Sequence, residues 1–235
     1  MIEIAIADAE SRALWKVVGT LAEKLPEDWA LIGGLMVQIH ALEHGFTDVR
    51  VTHDIDLLGQ ARPQGTLTQI DRLLRDEGFA LEAPDLDGYA QRYTREGVVI
   101  DVLAPDGIKP PPQLTNGIKA IAVPGGHQAL VRSESVRVLV DGESFDLRRP
   151  TLLGAILIKA RSLVVHRDPE SQREDLLRLL SLIDDPRAIA PELRPTERKW
   201  MRRAETRLAF SEPASLGPAT VRRARQAYRL LLDPS

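Results

Sequence analysis

The sequence contains no cysteine among its 235 residues. This excludes disulfide bonds, thiolate metal ligands and a cysteine nucleophile, and it fits a reducing compartment. Aromatic residues are scarce, at 4%, so a core must be built mainly from Leu, Ile, Val and Ala. No apolar run approaches the ~18 residues that a membrane span needs, and the first residues include acids where a signal peptide needs bases. We therefore expect a cytoplasmic protein with no membrane partner.

Net charge is also small, at −3, so the whole molecule generates no field that would draw it to nucleic acid. The distribution is uneven, because the segment 194–229 contains ten basic and three acidic residues. A basic helical face is usually just solvated, but this excess also fits a surface that binds a polyanion. Both interpretations stay open at the level of sequence.

Apolar patterns divide the chain into two parts. Up to about residue 149, predicted strands alternate with helices, and Asp141-Gly142 between two alternating runs predicts a β-hairpin over 136–150. After Pro150 only helical patterns follow, over 151–166, 171–183, 195–210 and 218–232. We predict an α+β domain at 1–149 and a helical domain at 150–235.

Two acids interrupt the predicted strand 51–59, VTHDIDLLG. Side chains alternate along a strand, so Asp54 and Asp56 project to one face and Ile55 projects to the other. Adjacent carboxylates repel unless a cation lies between them, and divalent ions such as Mg²⁺ prefer oxygen ligands. The alternative is an edge strand whose outer face happens to carry acids.

Neighbouring segments add glycines and a third acid. Gly33-Gly34 joins the strand at 29–34 to a helix, where bare backbone N–H groups can accept a phosphate, although such a pair also occurs as plain packing. Asp101 lies within the apolar run 98–105, where an unpaired acid is costly to bury. Three acids in two apolar strands predict one metal site.

These motifs resemble a known superfamily. A Gly-Gly strand end, a strand with two acids one residue apart and a third Asp on a later strand are similar to the nucleotidyltransferases that share the polymerase-β-like fold. Within that superfamily, THDIDLL and IKARSLVVHRDPESQREDLLRLL resemble the AbiEii/AbiGii type, the toxins of abortive-infection toxin–antitoxin pairs. The similarity covers about residues 29–183. It implies a polymerase-β-like mixed sheet flanked by helices, then a helical region, and transfer of an NMP from an NTP to an acceptor hydroxyl.

The resemblance implies roles for the acids and glycines. Asp54 and Asp56 would bind the catalytic Mg²⁺ or Mn²⁺. Asp101 would complete the metal site or accept the proton of the incoming hydroxyl. Gly33 and Gly34 would hold the nucleotide phosphates.

Two residues of the helical part are implied as well. Lys159 would bind the triphosphate and would also be catalytic, and Asp175 would support catalysis. Lys159 lies in a helix that is apolar on nearly every face, where an ammonium without a partner is costly; the alternative is a lysine that snorkels to solvent. Asp175 could instead favour the first turn of its own helix.

Three residues beside the acids complete the predictions for this segment. Arg50 and Thr52 would order the approach to the acids. His53 points to the opposite face from Asp54, and we expect it to pack rather than to bind metal.

The motifs do not specify the acceptor. The resemblance suggests an RNA end such as that of a tRNA, whose phosphates the basic helices would hold, and it implies an antitoxin protein as partner. A small-molecule acceptor is the alternative within the enzyme class. Rival classes are a non-catalytic nucleotide- or protein-binding module of the same fold, and a structural protein in which the three acids do not converge.

Overall fold

The structure is a computed structural model that describes residues 1–6, 8–25, 27–47, 52, 54–61, 65–165, 170–210, 213 and 215–233. Its strands are β1 (Ile2–Ile4), β2 (Trp29–Ile32), β3 (Asp54–Gly59), β4 (Ala80–Leu81), β5 (Tyr89–Ala90), β6 (Arg92–Arg95), β7 (Val98–Pro105), β8 (Lys119–Ala120), β9 (Ala122–Val123), β10 (Ser133–Val140) and β11 (Glu143–Pro150). Its α-helices are α1 (Ala9–Lys24), α2 (Gly33–Glu43), α3 (Thr66–Asp76), α4 (Gly126–Val131), α5 (Leu152–Val165), α6 (Glu170–Ser181), α7 (Pro186–Ile189), α8 (Pro195–Leu208) and α9 (Pro218–Leu232). Short 3-10 helices cover Thr115–Gly117 and Ala190–Glu192.

A mixed sheet carries the segment with the two acids. Its strand order is β2-β3-β7-β6-β4, and β9 also pairs with β7. β3 runs antiparallel to β2 and parallel to β7. Because β3 lies inside the sheet, the edge-strand interpretation of Asp54 and Asp56 is wrong.

The two faces of this sheet bury different cores. Ile55 and Leu57 share one core with residues of α1 and α3. Ile32 and Leu58 belong to another core, which includes residues of α5, α6, α8 and α9. Since side chains alternate along β3, Asp56 lies on the same face as Leu58. The acids of β3 therefore face the side of the sheet on which the C-terminal helices pack.

The predicted hairpin is confirmed as β10 and β11. Asp141 and Gly142 at its turn have φ angles of 51° and 85°, as a type I′ turn requires. β1 pairs in parallel with β10 and completes a separate three-stranded sheet. This three-residue strand is an addition to the predicted elements.

The C-terminal helical region is present, with helices close to the predicted bounds and α7 as an addition. Its apolar core also contains Met36 and Val37 of α2. The helices thus pack directly on the mixed α and β part, while the boundary at residue 149 stays a prediction. Within the described residues, no helix combines the length and the apolar character needed to cross a bilayer.

Candidate active site

The three predicted acids lie on one face of two neighbouring strands. Asp56 and Asp101 are direct partners in the parallel register of β3 and β7, so their Cα atoms are ~5 Å apart. Asp54 precedes Asp56 by two residues and lies ~7 Å away along the same face. The strand register thus places the three acids on one face of the sheet.

Gly33 lies directly against Asp56. It is the first residue of α2, its φ is +72°, and a Cβ built on it would be 1.8 Å from Oδ2 of Asp56. No residue with a side chain fits there unless the carboxylate moves. Gly34 is the second residue of α2. Ile32, which precedes the helix, makes no side-chain hydrogen bond that would cap its first turn. The first N–H groups of α2 are thus open to an anion beside Asp56.

The environment of Asp56 disfavours its charge. Burial is the main cause that raises the pKa of Asp56 to about 7, and the charge of Asp54 raises it further. Asp101 and Asp175 act in the same direction, whereas Lys159 opposes them. Asp56 makes no hydrogen bond to the residues that the structure describes. A carboxylate in this position would gain from a bound cation.

Asp54 is hydrogen-bonded to Thr52. Its Oδ1 accepts a hydrogen bond of 2.5 Å from the hydroxyl of Thr52, which fits the predicted role of Thr52 in ordering this approach. Arg50 and His53 lie outside the described residues, so their predicted roles stay predictions.

Lys159 and Asp175 form a buried ion pair between α5 and α6. Nζ of Lys159 is 2.8 Å from Oδ2 of Asp175 and 3.2 Å from Oε1 of Gln172. The two charged side chains are only 5% and 6% exposed. Lys159 therefore does not snorkel to solvent, and Asp175 does more than favour a helix terminus. Because both charges act on Asp56, the helical part of the chain contributes to the same site.

Arg92 is a site residue that the sequence did not reveal. It lies opposite Asp101 in the antiparallel register of β6 and β7. Its Nε and Nη2 atoms donate to Oδ1 and Oδ2 of Asp101 at 3.0 and 2.9 Å, and Gln91 makes a longer contact of 3.4 Å. In the sequence, the alternation of the RYTR run indicates a strand, but it does not specify which residue of β7 lies opposite Arg92.

These residues fit a divalent cation in part. The pair Asp54 and Asp56 fits, because the two carboxylates raise each other's energy without a cation and Asp56 lacks a hydrogen-bond partner among the described residues. Asp101 differs, since Arg92 already binds both of its oxygens. Across the described ranges, no three His, Asp or Glu side chains are grouped closely enough to hold a metal ion. The three acids share a face, but they are not a ready-made set of three ligands.

Three bases of the segment 194–229 line a groove between α9 and α7. Arg187, Arg222, Arg225 and Arg229 line this groove, which has a volume of about 290 Å³. Other bases of the segment have structural roles; Arg198, for example, donates to the last carbonyl groups of α9. The predicted basic excess is thus divided between helix packing and one arginine-lined groove, which we call the arginine groove.

Comparisons with known proteins show a similarity at the level of structure. No family model matches the chain, and no curated protein matches it. An antigenic nucleotidyltransferase-like protein from Paracoccidioides brasiliensis is similar in structure, with 17% sequence identity, a TM-score of 0.44, and coverage of 85% of this chain and 87% of that chain. At this level of similarity, the proposals below depend on the residues of this chain alone.

Proposed function

We propose that this protein is a metal-dependent nucleotidyltransferase that transfers an NMP from an NTP to an acceptor hydroxyl. One observation carries the proposal: Asp54, Asp56 and Asp101 share one sheet face beside the open N-terminus of α2. A charged ammonium from the helical part lies near the same carboxylates. Phosphoryl transfer requires mainly positioning and charge neutralisation, and this set of groups supplies both.

Asp54 and Asp56 are the residues that would hold Mg²⁺ or Mn²⁺. When bound, such an ion neutralises charge on the phosphate oxygens of the NTP. The first N–H groups of α2, beside Gly33 and Gly34, bind further phosphate oxygens and fix the direction of the triphosphate. Gly33 is required because a Cβ there would overlap Asp56.

Lys159 and Asp101 act on opposite sides of the transferred phosphorus. A bond forms between the acceptor oxygen and the α-phosphorus, and the bond from that phosphorus to pyrophosphate breaks. Lys159, held by Asp175, stabilises the negative charge of the leaving pyrophosphate. Asp101, held by Arg92, accepts the proton of the acceptor hydroxyl. This proton role for Asp101 is favoured over a metal-ligand role because the guanidinium of Arg92 would repel a divalent ion, whereas the carboxylate oxygens keep lone pairs that can accept a proton.

We propose RNA as the acceptor, because the arginine groove offers a surface for backbone phosphates. Arg222 and Arg229 have no hydrogen-bond or ion-pair partner among the described residues, so their charges are available to a ligand. The groove lies partly on α9, which packs on α6, the helix of Asp175. An RNA bound there would contact the helix that packs against the helix of Asp175.

The test is incubation of the purified protein with each labelled NTP, Mg²⁺ or Mn²⁺ and total RNA. We expect label in RNA with the wild type and none with Asp56→Asn. Asp146→Asn is a matched control, because Asp146 is an exposed acid on β11, and it should label RNA like the wild type. Equal labelling by the wild type and Asp56→Asn would refute the assignment of Asp56. Absence of label from RNA with every NTP would refute RNA as acceptor.

The AbiEii/AbiGii-like toxin role and an antitoxin partner are finer proposals on the same basis. They predict that expression of the wild type arrests bacterial growth and that expression of Asp56→Asn does not. Growth that is equally normal with both proteins would contradict the toxin role while leaving the transferase proposal to the labelling test.

A further inference from the structure

Asp101 is already neutralised by a cation of the chain itself. It is only 5% exposed, and both of its oxygens accept hydrogen bonds from Arg92. Such paired, charge-assisted hydrogen bonds between a guanidinium and a carboxylate are among the stronger polar contacts in proteins. A divalent ion at Asp101 would lie close to the guanidinium of Arg92 and would be repelled by its positive charge.

Arg92 is fixed in place by the register of three strands. Asp56 pairs with Asp101 across β3 and β7, and Asp101 pairs with Arg92 across β7 and β6. The three side chains therefore form a row on one face, with Arg92 at the outer end. Its guanidinium has a raised pKa, caused first by the hydrogen bonds and charge of Asp101 and then by Glu82 and Asp54. Arg92 thus remains a fixed positive charge among these acids.

We propose that Arg92 takes the place of a second metal ion: it holds Asp101, so that the site binds a single divalent ion through Asp54 and Asp56. This inference deepens the proposed function and rests on it, because it concerns the cations of the same site. Two-metal sites hold their ions ~4 Å apart between shared carboxylates. In this chain, the guanidinium occupies the carboxylate that a second ion would need. Arg92 is a positioning residue, since it acts through Asp101.

The test measures binding of Mn²⁺ alone to the purified full chain, by the loss of the electron paramagnetic resonance signal of free Mn²⁺. The wild type should bind one Mn²⁺ per chain. Arg92→Gln should bind two, or bind a second ion at least tenfold more tightly than the wild type does. Arg137→Gln is the matched control, because Arg137 pairs with Asp146 across an antiparallel register in the same way but in the other sheet. It should bind one ion, like the wild type.

A second variant keeps the test independent of any folding defect in Arg92→Gln. Asp101→Asn has nearly the shape of the wild-type side chain and should retain one Mn²⁺ with an affinity within about threefold. Asp54→Asn should lose that ion.

The outcomes separate this inference from the proposed function. Two comparable Mn²⁺ ions on the wild type, an unchanged single ion on a folded Arg92→Gln, or equal losses in Asp101→Asn and Asp54→Asn would each overturn the role of Arg92 while leaving a metal site. Failure of the wild type to bind any Mn²⁺ would overturn the metal-dependent function, and this inference with it.

Discussion

Replacing Gly33 with alanine tests the contact between α2 and Asp56 without removing any charged group. Gly33 has a φ of +72°, and its new Cβ would lie 1.8 Å from Oδ2 of Asp56. Gly45, just beyond the other end of α2, is a matched control, because its φ is +77° and a Cβ there meets nothing within 4 Å. Each substitution costs about 1 to 2 kcal/mol for the left-handed backbone conformation. The Asp56 contact adds about 1 to 3 kcal/mol for Gly33→Ala alone.

Urea unfolding in the presence of a chelator measures this difference. We expect Gly33→Ala to be less stable than Gly45→Ala by about 1 to 3 kcal/mol, because only the former must move a carboxylate or the start of α2. Mn²⁺ binding should weaken at least tenfold in Gly33→Ala and stay at the wild-type level in Gly45→Ala. Equal stability and equal Mn²⁺ affinity of the two variants would refute the contact between Gly33 and Asp56 and the role of that contact in the site.

Three further predictions concern the charges of Asp56, of the Lys159–Asp175 pair and of Asp71. Burial raises the pKa of Asp56 to about 7, so the metal-free wild type should lose stability as pH rises from about 4 to about 7. Asp56→Asn should lack this loss and should be more stable than the wild type at pH 8 by up to about 4 kcal/mol in chelator. The same dependence of unfolding free energy on pH in both proteins would contradict the raised pKa. Asp175→Leu leaves the buried ammonium of Lys159 without its carboxylate and should lower the free energy of unfolding by about 3 to 5 kcal/mol. The double variant Asp175→Leu/Lys159→Met should recover most of this loss in urea unfolding. A double variant no more stable than Asp175→Leu would refute the pairing. Burial raises the pKa of Asp71, but hydrogen bonds from Thr115, Tyr93 and Arg75 outweigh it and lower the pKa, so the stability that they provide is present above pH ~4 and is lost as pH falls further. Asp71→Asn should cost about 2 to 3 kcal/mol at pH 7, and its free energy of unfolding should fall less steeply in acid than that of the wild type. An unchanged dependence on pH in acid would contradict this.

Local patterns predicted those elements whose signals lie within a few residues. The Asp141-Gly142 turn needs two residues that tolerate positive φ, and that requirement is visible in the sequence. The shared face of Asp54 and Asp56 follows from the two-residue period of any strand. The buried position of Lys159 could likewise be expected from the apolar helix around it.

Features that depend on distant partners could not be predicted in this way. β1 has only three residues, and its partner β10 is far along the chain, so no local pattern distinguishes it from a loop. Asp101 was recognised as a buried acid, but its partner depends on the register between β6 and β7, which hydrophobic alternation alone did not fix. For the same reason, the sequence suggested three metal ligands where the structure pairs one of them with Arg92.

The shared core of sheet and helices has a consequence for synthesis of the chain on the ribosome. Chains generally fold in the order in which they are made, so the strands of Asp56 and Asp101 emerge well before α5 and α6. Until those helices pack on the sheet, Asp56 lacks the nearby charge of Lys159, which favours its ionisation. It also lacks the apolar cover, which opposes its ionisation. A partly synthesised chain therefore carries the carboxylates without the ammonium, and the proposed active site is complete only when the helical part has packed on the sheet.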